Sequence, residues 1–440
     1  MSDVFPSLTV EELTAARQGA MKIGPFGSQL RREEMVERGV KVYGQENVIA
    51  NDWTLGDRRI SSSKHSALSS CELEPGDVVI SMMGTAGKCA IFPATAEPGI
   101  MDSHLLRVQP NLNLIIREYF ATVLQAENII GRQVAAMSHG SIMAGLSSKI
   151  VKEFRVPVPP LVEQPTIVEV LGTIDTAILQ TEALIDKLKA VKQGLLHDLL
   201  TRGIDANDQL RPPQSDEPQL YKESPLGLIP NEWELQELGD LAEVSRGKFT
   251  HRPRNDPAFF GGEYPFIQTG DVALAQGGYI SSYSQTLSER GISVSQEFPT
   301  GTIAITIAAN IADTAVLARP MFFPDSVVGA LVAPEHNIRF IELSIRRAKR
   351  ALNARAPQSA QKNINLQDIR PLLIAMPSRS EQDSIAARYD ALQARLEAEQ
   401  LALKKLLQEK SGLVDDLLTG RVRVTPLLEA RQHTAAQTDA

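Results

Sequence analysis

Residues 163–201, EQPTIVEVLGTIDTAILQTEALIDKLKAVKQGLLHDLLT, recur without a gap about half the chain later as residues 381–419, EQDSIAARYDALQARLEAEQLALKKLLQEKSGLVDDLLT. Twelve of the thirty-nine positions are identical, and a repeat of this length constrains the fold before any single residue does. The apolar pattern agrees better than the identities. Ile167, Leu171, Ile174, Ile178, Ile185, Leu188, Leu195 and Leu199 fall on an alternating three-four spacing, and the same slots of the second copy hold Ile385, Tyr389, Leu392, Leu396, Leu403, Leu406, Leu413 and Leu417. Both copies break the pattern at the same two slots, Thr181 with Glu399 and Lys192 with Lys410. A sustained three-four repeat is the seam of a helix that packs along its length. Two such helices with matching interruptions most simply pack on each other; the alternative is that each packs on its own globular module. A helix of this length spans roughly 58 Å at 1.5 Å per residue.

Both helices follow a proline-bearing edge, VPVPPLVEQ at 156–164 and IAMPSRSEQ at 374–382. Proline suits a helix start, where its missing N–H would lack a partner anyway. Ser380 is a candidate N-cap, and Gly203 and Gly420 are candidate C-terminal caps. The chain therefore divides into a module at 1–160, a helix at 161–201, a linker at 202–226 around RPPQSDEPQ, a second module at 227–377, a second helix at 378–419 and a tail at 420–440 expected to be disordered. The modules resemble each other less than the helices do. Each has a glycine-bearing loop near its start (KIGPFGSQLRR, SRGKFTHRPRN), a short strand with a polar end (VKVYGQENVI, YPFIQTGDVA) and an apolar hairpin (PGDVVISMMGTAGKCAIF, PTGTIAITIAANIADTAVL). Each then has a later strand (GIMDSHLLRVQP, FPDSVVGALVAP) and a Gln- or Ser-rich loop before its last strand. The fold class is α+β: two globular modules of mixed structure separated by two long helices. A framework that repeats while its loops diverge fits two modules doing the same task on different targets.

The catalytic and cofactor motifs tried against the sequence fail. GTAGK at 84–88 has Met82 where a phosphate loop needs its first glycine and Cys89 after the lysine, so a hairpin turn is expected. Asp102, Ser103 and His104 are consecutive and, on one strand, would not face each other. No H-E-x-x-H, CxxC, G-x-S-x-G or GxGxxG is present. Neither is an Asn/Asp-Pro-Pro-aromatic tetrapeptide of the amino-methylating kind. Cys71 and Cys89 are too few for a disulfide framework or a four-ligand metal site and read as reduced structural thiols. No cofactor or metal is expected in this chain. The start MSDVFPSLTVEEL carries no basic-then-apolar leader, and the most apolar stretch, 301–318, contains Asn310 and Asp313 and reads as paired strands. A cytoplasmic protein without a membrane span is expected.

Net charge is −8, which permits nucleic-acid binding without suggesting it, because small basic faces can sit on an acidic chain. Two basic clusters stand out, RGKFTHRPR at 246–254 and RRAKRALNAR at 346–355, the second read as a helix. Either could be plain solvated surface. With polar loops beside them they fit phosphate contact and base reading, since Arg and Lys suit guanine and phosphate while Gln and Asn suit adenine. The candidate DNA-contacting residues are Lys22, Ser28, Gln29, Arg31 and Arg32 in the first module, and Arg246, Lys248, Thr250, His251, Arg252, Arg254, Gln358, Gln361 and Lys362 in the second.

The order module, helix, linker, module, helix resembles the specificity subunits of Type I restriction-modification systems over nearly the whole chain. VPVPPLVEQPTIVEVLGTIDTAI resembles the family's Pro-Pro-Leu-x-x-Gln approach to the first spacer helix, with MPSRSEQDSIAARYDAL as its second-copy relative. GPFGSQL resembles the start of a target recognition domain; so does LGLIPNEWELQELGDLAEVSRGK, with Ile229, Pro230 and Trp233, and KSGLVDDLLTGRVRV resembles the closing segment. The first module lacks the Ile-Pro-x-x-Trp opening, and the second helix approach lacks the Pro-Pro. The resemblance implies a non-catalytic, sequence-specific DNA-binding subunit. Each module would read one half of a bipartite site in double-stranded DNA. The helices would form an antiparallel coiled coil that sets the gap, giving a pseudo-twofold repeat. Two methyltransferase subunits carrying S-adenosylmethionine would dock on it, and restriction subunits would join. Two further classes stay open: a coiled-coil scaffold that does not touch DNA, and a self-sufficient DNA methyltransferase or nuclease.

Overall fold

A computed structural model of the chain describes residues 5–83, 87–137, 146–251, 253–308, 310–355 and 363–438. The chain forms two units, Met1–Glu182 with Leu401–Ala440, and Ala183–Gln400. Each long helix is divided between them, so each unit holds one module together with half of each helix.

In the first unit the strands Met21–Ile23, Leu105–Val108, Val78–Ser81 and Cys89–Ile91 form one sheet in that order, and Arg59–Ile60, Met35–Tyr43 and Gly99–Met101 form a second. Ser7–Thr9 pairs antiparallel with Arg155–Pro157 and ties the module's two ends together. The second unit repeats this plan. Ala242–Arg246, Val327–Val332, Ile303–Thr306, Thr314–Leu317 and Tyr279–Ile280 form one sheet; Gln285–Leu287, Phe260–Phe266, Met321–Phe322 and Glu297–Phe298 form the other; Glu234–Glu237 pairs with Leu373–Met376. The central strands are apolar without alternation because both faces are covered. Val78 and Ile80 enter one core and Val79 the other. Ile303 and Ile305 likewise part from Ala304. Burying each such large aliphatic side chain stabilises by about 1.5–3 kcal/mol.

One irregularity recurs. Met35 and Val40 both lie opposite Ile60, and in the second module Phe260 and Tyr264 both lie opposite Leu287. In each case the residues between are extruded as a bulge at the edge of the smaller sheet.

The long helices run over Gln164–Thr201 and Arg379–Thr419. All sixteen seam residues are buried or half-buried. Both packing readings hold, on different stretches. Ile167, Leu171 and Leu417 belong to the first module's core, and Leu199, Ile385 and Tyr389 to the second's. Ile174, Ile178, Ile185, Leu188 and Leu396 are buried yet belong to neither core. The interrupting lysines meet the opposite helix: Lys410 pairs with Asp175 at 2.5 Å in the first unit, and Lys192 donates to Gln393 in the second. These two contacts occupy equivalent positions of the repeat. Within each unit they place the end of one helix beside the start of the other, so the pair is antiparallel.

The Glu-Gln dipeptide that opens each repeat fastens helix to module. Gln164 is fully buried; its Oε1 accepts the Ile116 N–H (2.7 Å), and its Nε2 donates to the carbonyls of Leu114 and Pro159 (both 3.0 Å). Gln382 accepts the Asn337 N–H (2.9 Å) and donates to the Pro377 carbonyl (3.0 Å). Before it, Glu381 is bound by Arg211 (3.1 Å), by the Trp233 indole N–H (3.2 Å) and by the Ile204 N–H (2.8 Å). In the first unit Glu163 pairs with Arg423, whose guanidinium lies 5.0 Å over the Phe5 ring. Phe5 lies two residues before its pairing strand and Trp233 one residue before its own, and each meets the arginine–glutamate pair of its unit, so Phe5 fills the place of the tryptophan missing from the first module.

The 202–226 linker is held down: Arg211 is buried against Glu381, and Tyr221–Lys222 pairs with Ile229–Pro230. Several expectations are corrected. The tail is not disordered through Thr438; Thr425–Thr438 is helical, Leu428 packs on the first core, and Arg431 holds Glu169 (2.7 Å). The second helix starts at Arg379, and its first-turn hydroxyl acceptor is Ser378, to which the Glu381 N–H donates (3.3 Å), rather than Ser380. Gly203 and Gly420 cap the helices with φ of +68° and +78°. Asp102–His104 form the turn between two strands, not a strand.

Gln164→Leu leaves one buried N–H and two carbonyls short of a partner, at about 1–3 kcal/mol for each group that water cannot reach. A loss of at least about 2 kcal/mol is expected from urea unfolding, against less than about 0.5 kcal/mol for the exposed Gln180→Leu. Burial, reinforced by Arg346 and Arg339, pulls the Lys192 ammonium below its ordinary value. The unfolded chain therefore holds that proton more tightly, and stability gained from its release rises with pH in the window just below 10.5. The stability difference between wild type and Lys192→Met should accordingly move in favour of wild type as pH rises through that window.

Candidate nucleic-acid interface

The glycine-bearing loop holds the same place in both modules. Gly24 leaves the strand Met21–Ile23 and packs against the backbone of the turn at Asp102; an added Cβ would lie 1.8 Å from the Asp102 carbonyl oxygen. Gly247 leaves Ala242–Arg246 and meets the corresponding turn at Pro324, where a Cβ would lie 2.4 Å from the carbonyl oxygen. Only glycine permits either approach. Loop, turn and bulge thus converge at one edge of each module.

In the first module this edge is an open groove of about 820 Å³, lined by Pro25, Leu30 and Arg32 of the loop, Met35–Glu37 of the bulge, Asp57–Arg59, and the turn Asp102–His104. Asp102 is buried and holds two partners: Arg58 through its Nη1 (2.9 Å) and the backbone N–H of His104 (2.9 Å). Arg58 also donates to Glu46 (2.9 Å). Burial opposes its charge, and the Asp102 and Glu46 carboxylates outweigh that and raise its pKa. Arg59 is held by Glu97 (2.9 Å). Of the expected residues, Arg32 lines the groove, and Arg31 and Gln29 are exposed beside it. Lys22 is half-buried in the strand opposite Arg107. Ser28 lies in the short turn Gly27–Gln29.

In the second module Arg246, Lys248, Thr250 and Arg254 are exposed around the loop. Arg246 donates to the Asp325 carbonyl (2.6 Å), and Arg254 binds the Asp325 carboxylate (2.9 Å). His251 stacks on Phe259 with ring centres 3.8 Å apart and contacts Asp256 (3.2 Å). Phe249 is buried with Phe266, Leu287 and Phe322 and so anchors the loop from below. Arg252, Gln358, Gln361 and Lys362 lie outside the described residues, as do Gly84–Ala86 of the first hairpin.

The basic cluster at 346–355 spans the end of the helix Ile338–Arg347 and the helix Lys349–Arg355, and Arg346, Arg347 and Lys349 are turned to internal partners while Arg350 stays exposed. Glu342, wholly buried, receives Arg346 (2.6 Å) and Arg339 (2.5 Å), and Arg346 also donates to the Tyr389 hydroxyl (2.8 Å). Arg347 donates to the Leu200 carbonyl (2.7 Å) at the end of the first long helix, where a cation suits the helix dipole. Lys349 pairs with Asp313. A glutamate four residues before an arginine was the readable sign that these charges pair internally.

Cys71 and Cys89 are free and buried, and burial pushes the Cys89 thiol up to about 12. No described group of three or more His, Cys, Asp or Glu could hold a metal ion, and no described helix is long and apolar enough to cross a membrane.

Two modules of one plan, each joined to the same pair of helices and each presenting a different loop edge, define a class of two-module, two-helix proteins. The chain belongs to the family of the Type I restriction modification DNA specificity domain, which matches residues 39–190 and again 230–408. This makes it a specificity subunit, the non-catalytic member of such systems. It is similar to a putative Type I restriction enzyme specificity subunit, MjaX, of Methanocaldococcus jannaschii, with 24% identity over 79% of each chain. It is also similar to the EcoBI specificity subunit of Escherichia coli, with 22% identity over 79% of this chain and 73% of that one. The fold matches the crystal structure of a Type I S subunit from M. genitalium, with a TM-score of 0.54, 12% identity, and coverage of 95% of this chain and 97% of that one. The HsdS subunit from Thermoanaerobacter tengcongensis gives 0.51, 14%, 96% and 98%.

Lys248 is exposed and carries none of the ion pairs found around it. Lys248→Ala is expected to weaken DNA binding to a similar degree on every sequence and to lower the slope of log affinity against log salt by about one, as loss of a single phosphate contact does. A salt titration of wild type and variant measures this.

Proposed function

We propose that each module reads one half of a two-part site in double-stranded DNA, and that the paired helices fix the gap between the halves. The carrying observation is that the framework repeats down to its bulge and its glycine contact, while the edge those features create differs in chemistry between the modules. A pair of similar readers joined by paired helices suits two short sequences separated by a defined distance along the DNA. Base contacts select and phosphate contacts position. Two methyltransferase subunits dock on this chain and bring S-adenosylmethionine, and restriction subunits join them. A solved structure of similar fold (TM-score 0.53, 13% identity) is described as concerning complex assembly and conformational transition of the Type I R-M system, which supports assembly of this kind. A base inside a duplex must be flipped out to be methylated, a step for the methylating partner while this chain holds the DNA.

The test is selection from a random duplex pool by the full chain, alone and with its methyltransferase partner, over a salt series. Recovery of one gapped, two-part sequence with a steep salt slope is the expected result. Salt-insensitive or absent binding with the partner present would overturn the reading in favour of a scaffold. Deleting one heptad from each long helix removes about 10 Å of rise, roughly three base pairs. The selected gap should shorten accordingly while both half-sequences stay the same.

A further inference from the structure

In both modules the turn that meets the glycine loop carries an aspartate, and in both that aspartate grips an arginine. The chain supplies the pair differently each time. In the first module Asp102 binds Arg58, which comes from the segment before the strand Arg59–Ile60. In the second, Asp325, one place further along the turn, binds Arg254 from the glycine loop itself. Asp102 is buried and Asp325 is partly exposed; the arginine side chains keep 35% and 52% of their surface open.

An arginine with a carboxylate against it is a poor phosphate contact. Its charge is already largely neutralised, and the carboxylate repels a phosphate brought alongside. Its remaining N–H groups are still donors, now aimed in a fixed direction. That suits a base edge with two acceptors side by side, which in the major groove is the O6 and N7 of guanine. Fixing the guanidinium beforehand also removes side-chain ordering cost from binding.

We infer that Arg58 and Arg254 are the guanine-reading residues of the two modules, each set in place by the aspartate of the turn beside it, with Asp102 and Asp325 as positioning residues. This rests on the two-half-site reading above and adds which side chains read and which base they read. Around this pair, Lys248 and the exposed Arg31 and Arg32 are left to hold phosphates.

The experiment is sequence selection from a randomised duplex pool by the full chain with its methyltransferase partner. Wild type would be compared with Arg58→Ala, Arg58→Lys, Asp102→Asn, Arg254→Ala and Asp325→Asn, with circular dichroism of each. The expected result is loss of a guanine at one position of one half-site for the Arg58 and Asp102 variants, and of the other half-site for the Arg254 and Asp325 variants. Discrimination at that position should fall roughly tenfold or more, with an unchanged salt slope. Arg58→Lys keeps charge and bulk but loses the planar fork, so it should fail at the same position even if Arg58→Ala does not fold. Unchanged half-sites in variants that select a two-part sequence as wild type does would overturn the inference and leave the two-half-site reading standing. A uniform loss of affinity with a reduced salt slope would make these arginines phosphate contacts and overturn it as well. Failure of wild type to select any two-part sequence would overturn both.

Discussion

Everything in each unit is referred to one buried amide. Gln164 and Gln382 sit at the head of a long helix and complete hydrogen bonds for backbone groups of the module that the helix leaves. The acid before each takes an arginine from beyond the end of the opposite helix, Arg423 for Glu163 and Arg211 for Glu381. Three pieces of chain distant in sequence therefore meet at one point: the module's own backbone, the start of one helix and the segment after the other. Buried polar groups of this kind are costly unless every member is satisfied. Here they are, and that fixes where each helix stands on its module. Loop residues can then vary without moving the frame that presents them.

The helices were legible because their seam is periodic and their boundaries carry local signals, proline before and glycine after. The two lysines that break the seam were visible as breaks, but not as what they are: each finds its partner on the other helix, Lys192 at Gln393 and Lys410 at Asp175. The strands along the chain could be anticipated from hairpins and turns. The pairing of first with last strand in each module could not, since Ser7–Thr9 and Arg155–Pro157 are too far apart in sequence for any local signal. The tail was misread because polar composition reports what a segment lacks in apolar burial, not that a single arginine can tie it down, as Arg431 does.

The candidate interface was legible as loops and not as side chains. Lys248, Thr250 and Arg254 lie where a basic, glycine-bearing loop would put them. Arg58 drew no attention because its partner Asp102 is 44 residues away and its own surroundings look like an ordinary polar turn. The second basic cluster drew too much, although Glu342 stood within one helical turn of the arginines it neutralises. The two modules also differ inside. Among the described residues, the buried charge cluster of the second has no counterpart around the Cys89 thiol and Ala121 carbonyl that meet in the first.

The shared bulge bears on how such a protein can change over generations. Strand pairing on either side of it returns to the same partner residue, Ile60 in one module and Leu287 in the other. Residues can therefore be gained or lost between those points without turning the rest of the strand inside out, which a one-residue shift elsewhere in the sheet would do. Insertions and deletions, usually the most disruptive of mutations in a sheet, become at this place a tolerated source of novelty. They fall beside the edge that the glycine contact builds, so a lineage carrying this fold can explore new preferences by length as well as by substitution.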